Sequence, residues 1–166
     1  MPFTPFHMGP GIFLKAVLQG SFSLMVFGWA QIVMDIQPLI VLLTGKGHLH
    51  GFTHTYLGAT LIGAFSAVTG KYVSQLALSM LLGAGSKGTP IAWWVALLSG
   101  FVGSYSHVVL DSLMHADVEP YFPFSAANDL LGLVSVEALH KFCVYSGLAG
   151  AALYVLVSYG LSRRRR

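Results

Sequence analysis

Four stretches, residues 16–34, 52–70, 91–110 and 142–161, run without a lysine, arginine, aspartate or glutamate. A bilayer core takes about 20 apolar residues of helix, so each stretch is long enough to cross one. The composition agrees: 55% of the chain is hydrophobic and 9% charged, where a soluble domain carries about 25% charged residues. An ordinary water-soluble globule is excluded. The expected fold is all-α, a polytopic membrane helical bundle with about four transmembrane helices. A fifth apolar stretch, residues 72–86 between Lys71 and Lys87, reads as a short interfacial helix or packing segment. No repeat or low-complexity tract divides the sequence, so residues 1–166 are expected to form one membrane-embedded domain.

The net charge of +3 is a property of the tail, because residues 163–166 supply four of the nine positive side chains. A basic groove for nucleic acid is therefore not expected. An arginine cluster after an apolar helix reads as a cytoplasmic anchor against anionic lipid. With four spans both termini lie in the cytoplasm, and that side then holds Lys15, Lys71, Lys87 and the arginines with no acid. All six acids, Asp35, Asp111, Asp117, Glu119, Asp129 and Glu137, fall on the outer side with Lys46 and Lys141. The N-terminus has no Lys or Arg before Lys15 and does not read as a cleaved signal peptide.

This topology gathers His48, His50, His54, His107, His115 and His140 at the outer face beside those acids. Residues four apart lie on one helix face. His50 and His54 have that spacing, as do His107 and Asp111, and one more helical turn adds His115 to the second stripe. Zinc accepts imidazole and carboxylate together, and a catalytic site needs three such ligands with one position open. With a lone cysteine, Cys143, no thiolate cluster is available. A single His-x-x-x-Asp on a helix is better explained by helix stability, and His48 or His140 alone by hydrogen bonding at the interface. The convergence of two pairs with Asp35 favours a metal site, since a carboxylate at the hydrocarbon edge is costly and usually has a partner and a role.

Other polar features are less telling. Asp117 lies close enough in sequence to His115 to join the site. Residues 121–124, Tyr-Phe-Pro-Phe, suit the headgroup belt or a lipid-contacting lip. Asn128 is placed to cap a helix beginning near Asp129 and running to His140. Ser106 beside His107 is a poor nucleophile candidate, because neighbours on a helix point in different directions.

The segment from Asp35 to Gln37, residues 50–55 and the Ser106-His107-x-x-x-Asp111 motif resemble a LexA-regulated, inner-membrane family of metal-dependent hydrolases. That family is more remotely similar to the helical zinc-dependent phospholipase C and nuclease superfamily. The likeness runs from residue 4 to about His140. It implies metal binding for His7, Asp35, His50, His54, His107 and Asp111. The sequence departs from the family where Gln37 replaces an acid and where Gly51 stands in place of an arginine. The resemblance also wants His7 at the outer site, whereas four spans place it in the cytoplasm. A break near Gly20, making two short helices of the first window, would bring it back.

The resulting expectation is a multi-pass enzyme of the bacterial inner membrane, C-terminus cytoplasmic, with its site on the outer face and the lipid bilayer as its surroundings. It would hydrolyse a phosphoester of a lipid or envelope component through water activated by a divalent metal, most simply zinc. The catalytic residues would be Asp35, His54, His107 and Asp111; the full ligand set would draw on these with His7, His50, His115, Asp117 and His140. The competing readings are a non-catalytic membrane carrier of a metal or of haem clamped between His54 and His107, and a purely structural membrane protein.

Overall fold

The computed structural model describes residues 4–82 and 90–164; Lys87, the end of the 72–86 stretch and the last two arginines lie outside the described residues. Among the described residues there is no strand. Helix α1 (Thr4–Leu18) turns through a 3-10 segment (Gln19–Ser21) into α2 (Leu24–Met34), which continues past Asp35 into α3 (Ile36–Thr44). Helices α4 (Tyr56–Leu82), α5 (Trp93–Met114) and α6 (Val136–Arg164) follow.

The first apolar window is thus split, and the hairpin of α1 and α2 has identifiable causes. Gln19 takes a positive φ of 47°. The Lys15 ammonium donates to the carbonyls of Gln19 at 2.6 Å and Phe22 at 2.8 Å, satisfying groups that a helix end leaves orphaned. Ser23 opens α2, its hydroxyl accepting from the Val26 amide at 3.3 Å while its own amide donates to Ser99 Oγ at 2.8 Å.

Among the described residues, three segments have the length and apolar character of a span: Leu24–Thr44, Trp93–Met114 and Val136–Arg163. The second apolar window lies in α4, which begins only at Tyr56. It does not stop before Lys71 but runs through it to Leu82, absorbing the described part of the stretch taken for an interfacial helix. Lys71 is tolerated there because its ammonium bonds the Ile91 carbonyl and sits over the Trp93 ring. The other end of α4 is capped by Thr55, whose hydroxyl accepts from the Gly58 amide at 2.9 Å.

The bundle closes through small residues. A side chain at Gly100 would put Cβ 2.6 Å from the Gly63 carbonyl oxygen, so α4 and α5 approach backbone to backbone. Helix α2 packs against both, burying Val26, Phe27, Ala30 and Met34, while α6 lies chiefly along α1. The expected helix from Asp129 is absent: residues 129–134 form turns, and Ser135 caps α6 through the Ala138 amide at 3.2 Å. Asn128 instead ties this loop to the end of α5, donating to the carbonyls of Ser112 at 3.0 Å and His115 at 3.2 Å. The N-terminus of α1, the junction of α2 with α3, the start of α4 and the end of α5 therefore meet in one layer.

Candidate metal centre

Asp111, on the last turn of α5, is the hub of that layer. Its Oδ1 lies 3.3 Å from His7 Nε2, and its Oδ2 lies 3.3 Å from both His54 Nε2 and His107 Nε2. His107 Nε2 is in turn 3.4 Å from Asp35 Oδ1. His7, His54, His107 and Asp111 are buried, whereas the Asp35 side chain is 33% exposed. These separations exceed the roughly 2.7–2.9 Å of a charge-assisted hydrogen bond. They match the edge of a tetrahedron whose corners lie about 2.0–2.1 Å from a central ion, which is about 3.3 Å. In keeping with that, Nε2 of His7, His54 and His107 and Oδ1 of Asp111 are buried with no hydrogen-bond partner among the described residues, an arrangement that is costly without an ion; Nε2 of His115 and of His140 are buried and unpartnered as well.

For His107 and His54 the opposite ring nitrogen explains why Nε2 carries a lone pair. Gln31, fully buried on α2, donates through Nε2 to the Gly103 carbonyl at 3.0 Å, so its Oε1 faces His107 Nδ1 at 2.6 Å. An amide oxygen only accepts, hence His107 carries its proton on Nδ1. His54 is set the same way: the Thr53 hydroxyl donates to Gln37 Oε1 at 2.8 Å and accepts from His54 Nδ1 at 3.0 Å. Such partners fix tautomer and orientation at metal sites. Neither Gln31 nor Thr53 was legible as a site residue, since a neutral amide in an apolar window and a threonine beside a histidine carry no distinctive pattern.

Gln37, the departure from the family pattern, thus serves as an anchor. It also accepts from the Thr53 amide at 3.0 Å and donates to the His48 carbonyl at 3.3 Å. A Cβ at position 51 would collide with the Gln37 amide, so Gly51 and Gln37 fit one another.

His50 and His54 do not share an α-helical face as their spacing suggested. A 3-10 turn (Phe52–His54) brings their rings to 4.9 Å, edge to face. Helix α5 ends at Met114, so His115 does not extend the stripe helically; it follows in extended backbone, and its ring stacks on His50 at 4.4 Å. Asp117 reaches the cluster through His50, with both carboxylate oxygens 2.9 Å from Nδ1. His140 lies against Phe6 with ring centres 4.9 Å apart and joins no ligand group. His48 is exposed.

Among the described residues, three overlapping trios have ligand atoms within 4.8 Å of one another: His7, His107 and Asp111; Asp35, His54 and His107; and His50, Asp111 and His115. His107 Nε2 has a single lone pair, so the first two trios describe one position. The third shares only Asp111, whose two oxygens can bridge. The residues present therefore fit one divalent ion on the inner set and a second between His50 and His115.

Around the cluster, burial pushes the His54 and His115 imidazoles below their usual range, reinforced by neighbouring histidines, which favours the neutral ligand form. Partial burial works against the Asp117 carboxylate, but its hydrogen bond with His50 outweighs this and holds it below the usual value. A pocket of about 320 Å³ reaches the cluster at His50, bordered by His48, Phe52, Glu119 and Phe122.

Fold and site together define a multi-pass helical membrane protein with a buried histidine and aspartate cluster at one end of its bundle. The chain belongs to the YdjM inner membrane protein family, which matches residues 13–164; His7 precedes the matched region. Comparison with curated proteins and with solved structures finds no match.

Proposed function

We propose that this protein is a membrane-embedded, metal-dependent hydrolase acting on a phosphoester of a lipid or envelope component. The observation that carries the reading is the set of buried, unpartnered Nε2 atoms spaced at tetrahedral edges around Asp111. When bound, zinc or a similar ion supplies an acidified water and polarises a substrate oxygen. His54, His107 and Asp111 hold that ion, with His7 closing the set from α1. Gln31 and Thr53 keep the two central imidazoles in the ligating tautomer. Asp35, the partly exposed carboxylate of the cluster, is the group placed to hold the proton released at the reacting centre.

A lipid phosphoester is favoured because Asp35, His107 and Asp111 lie in segments long and apolar enough to cross a bilayer, and the resemblance to the zinc-dependent phospholipase C superfamily read from the sequence motifs points the same way. The segregation of acids from basic residues favours a site on the outer face with the C-terminus in the cytoplasm. LexA control of expression follows from the resemblance alone. A haem carrier is disfavoured: the His54 and His107 rings are 5.1 Å apart and both face Asp111, leaving no space for a porphyrin between them. The test is release of phosphate or diacylglycerol from mixed phosphatidylglycerol and phosphatidylethanolamine vesicles by zinc-loaded protein. Turnover in wild type that Asp35→Asn abolishes, with metal retained, supports the reading. Metal-loaded protein that cleaves neither lipid nor a soluble phosphodiester refutes it.

A further inference from the structure

An apolar groove of about 740 Å³ lies on the outer side of α2, walled by Met8 of α1 and Val73 of α4. Its floor exists because position 28 is glycine: a Cβ there would already touch the Met8 thioether at 3.2–3.3 Å. Trp29 forms a fixed wall, its indole N–H donating to Thr69 Oγ1 across to α4 at 2.9 Å. Leu24, Gly28, Ile32 and Asp35 follow one another at intervals of four, four and three residues. They therefore lie within an arc of about 80° on one helix face. The groove thus runs along a segment long and apolar enough to span a membrane, and the same helix face carries Asp35, the partly exposed carboxylate of the metal cluster, three residues beyond Ile32. Its α1 wall, Met8, directly follows the ligand His7.

We propose that this groove holds one acyl chain of a phospholipid whose headgroup lies at the metal centre. The occupant follows from continuity with the bilayer-facing surface. Ile32 is 52% exposed and Val73 41%, so the groove opens sideways where the surrounding solvent is acyl chain. The bilayer is as apolar as the groove, and preference for it comes from contact on several sides, not from the hydrophobic effect. The proposal rests on the hydrolase reading for why a lipid would stop there, and it makes that substrate one with a long chain.

The test uses the full chain in nanodiscs of phosphatidylglycerol and phosphatidylethanolamine doped with a phospholipid carrying a diazirine on one acyl chain. After photolysis, labelled residues are mapped by mass spectrometry, and metal content is measured on the same samples. Labelling of Met8, Met25, Ile32 and Val73 is expected to exceed that of the exposed α6 residues Tyr145 and Leu156 about fivefold, the scale set by roughly ten extra carbon contacts. Gly28→Leu fills the groove and should abolish the excess. Ile32→Trp, at a half-exposed position that folds without repacking, should do the same, with α6 labelling and metal content unchanged. Equal labelling of groove and α6, insensitivity to both variants, or cross-links joining two copies through the groove would overturn the proposal. Selective labelling in protein that binds no metal would overturn the hydrolase reading instead.

Discussion

Replacing Gln31 by leucine separates a positioning role at the metal centre from a packing role. Three hydrogen bonds are lost, to the Gly103 carbonyl, Ser106 Oγ and His107 Nδ1, but their costs differ. The Gly103 carbonyl keeps a donor, Ser106 Oγ at 3.0 Å, whereas His107 Nδ1, buried and 2.6 Å from Gln31 Oε1, is left with none. One orphaned buried donor costs about 1–3 kcal/mol of stability. Freed of its partner, the ring can place its proton on Nε2 and lose its orientation, and loss of such a partner lowers metal affinity about 10–100-fold. Competition of detergent-purified protein against a chromogenic zinc chelator reads the affinity, and thermal unfolding with and without zinc reads the stability. Gln31→Glu retains an acceptor at Nδ1 and should restore affinity to within about threefold of wild type. A lowered melting temperature with zinc affinity unchanged in Gln31→Leu would refute the reasoning and make Gln31 a packing residue.

Thr53→Val removes the hydroxyl that relays between His54 and Gln37, and chelator competition should show zinc affinity reduced about tenfold with the helical far-UV signal intact. His140→Ala, outside the three ligand trios, should leave zinc stoichiometry unchanged by elemental analysis. Gly100→Val forces side-chain atoms into the Gly63 backbone and should destabilise the protein by about 1–3 kcal/mol or more, measured by unfolding in detergent.

Much of the helical layout was legible because charge-free windows of span length admit few alternatives. Window 91–110 coincides with α5 except for its first two residues, the helix running four residues further, and 142–161 lies inside α6. The hairpin in the first window was visible only as a possibility. Gly20 alone does not break a helix, and the break depends on Lys15 reaching carbonyls four and seven residues on. Lys71 read as the end of a span because a lysine ends an apolar window, whereas its compensation by the Ile91 carbonyl and Trp93 is tertiary. At the site, the spacing of His107 and Asp111 survives on one helix face. The same spacing at His50 and His54 brings the two rings together through a different local structure, a 3-10 turn. Sharing an end of the bundle does not set a side chain's direction: His140, on α6, lies against Phe6. Gln31 was invisible because only the fold brings α2 against α5 at Gly103.

The account stands or falls on whether the buried cluster around Asp111 holds an ion. The most direct measurement is elemental analysis of detergent-purified protein, comparing wild type with a His107→Ala, Asp111→Ala double variant that retains its helical content. The geometry predicts one to two equivalents of zinc or a similar divalent metal per wild-type chain and almost none in the variant. Well-folded wild type that remains free of metal after incubation with zinc would contradict it, and with it the hydrolase reading.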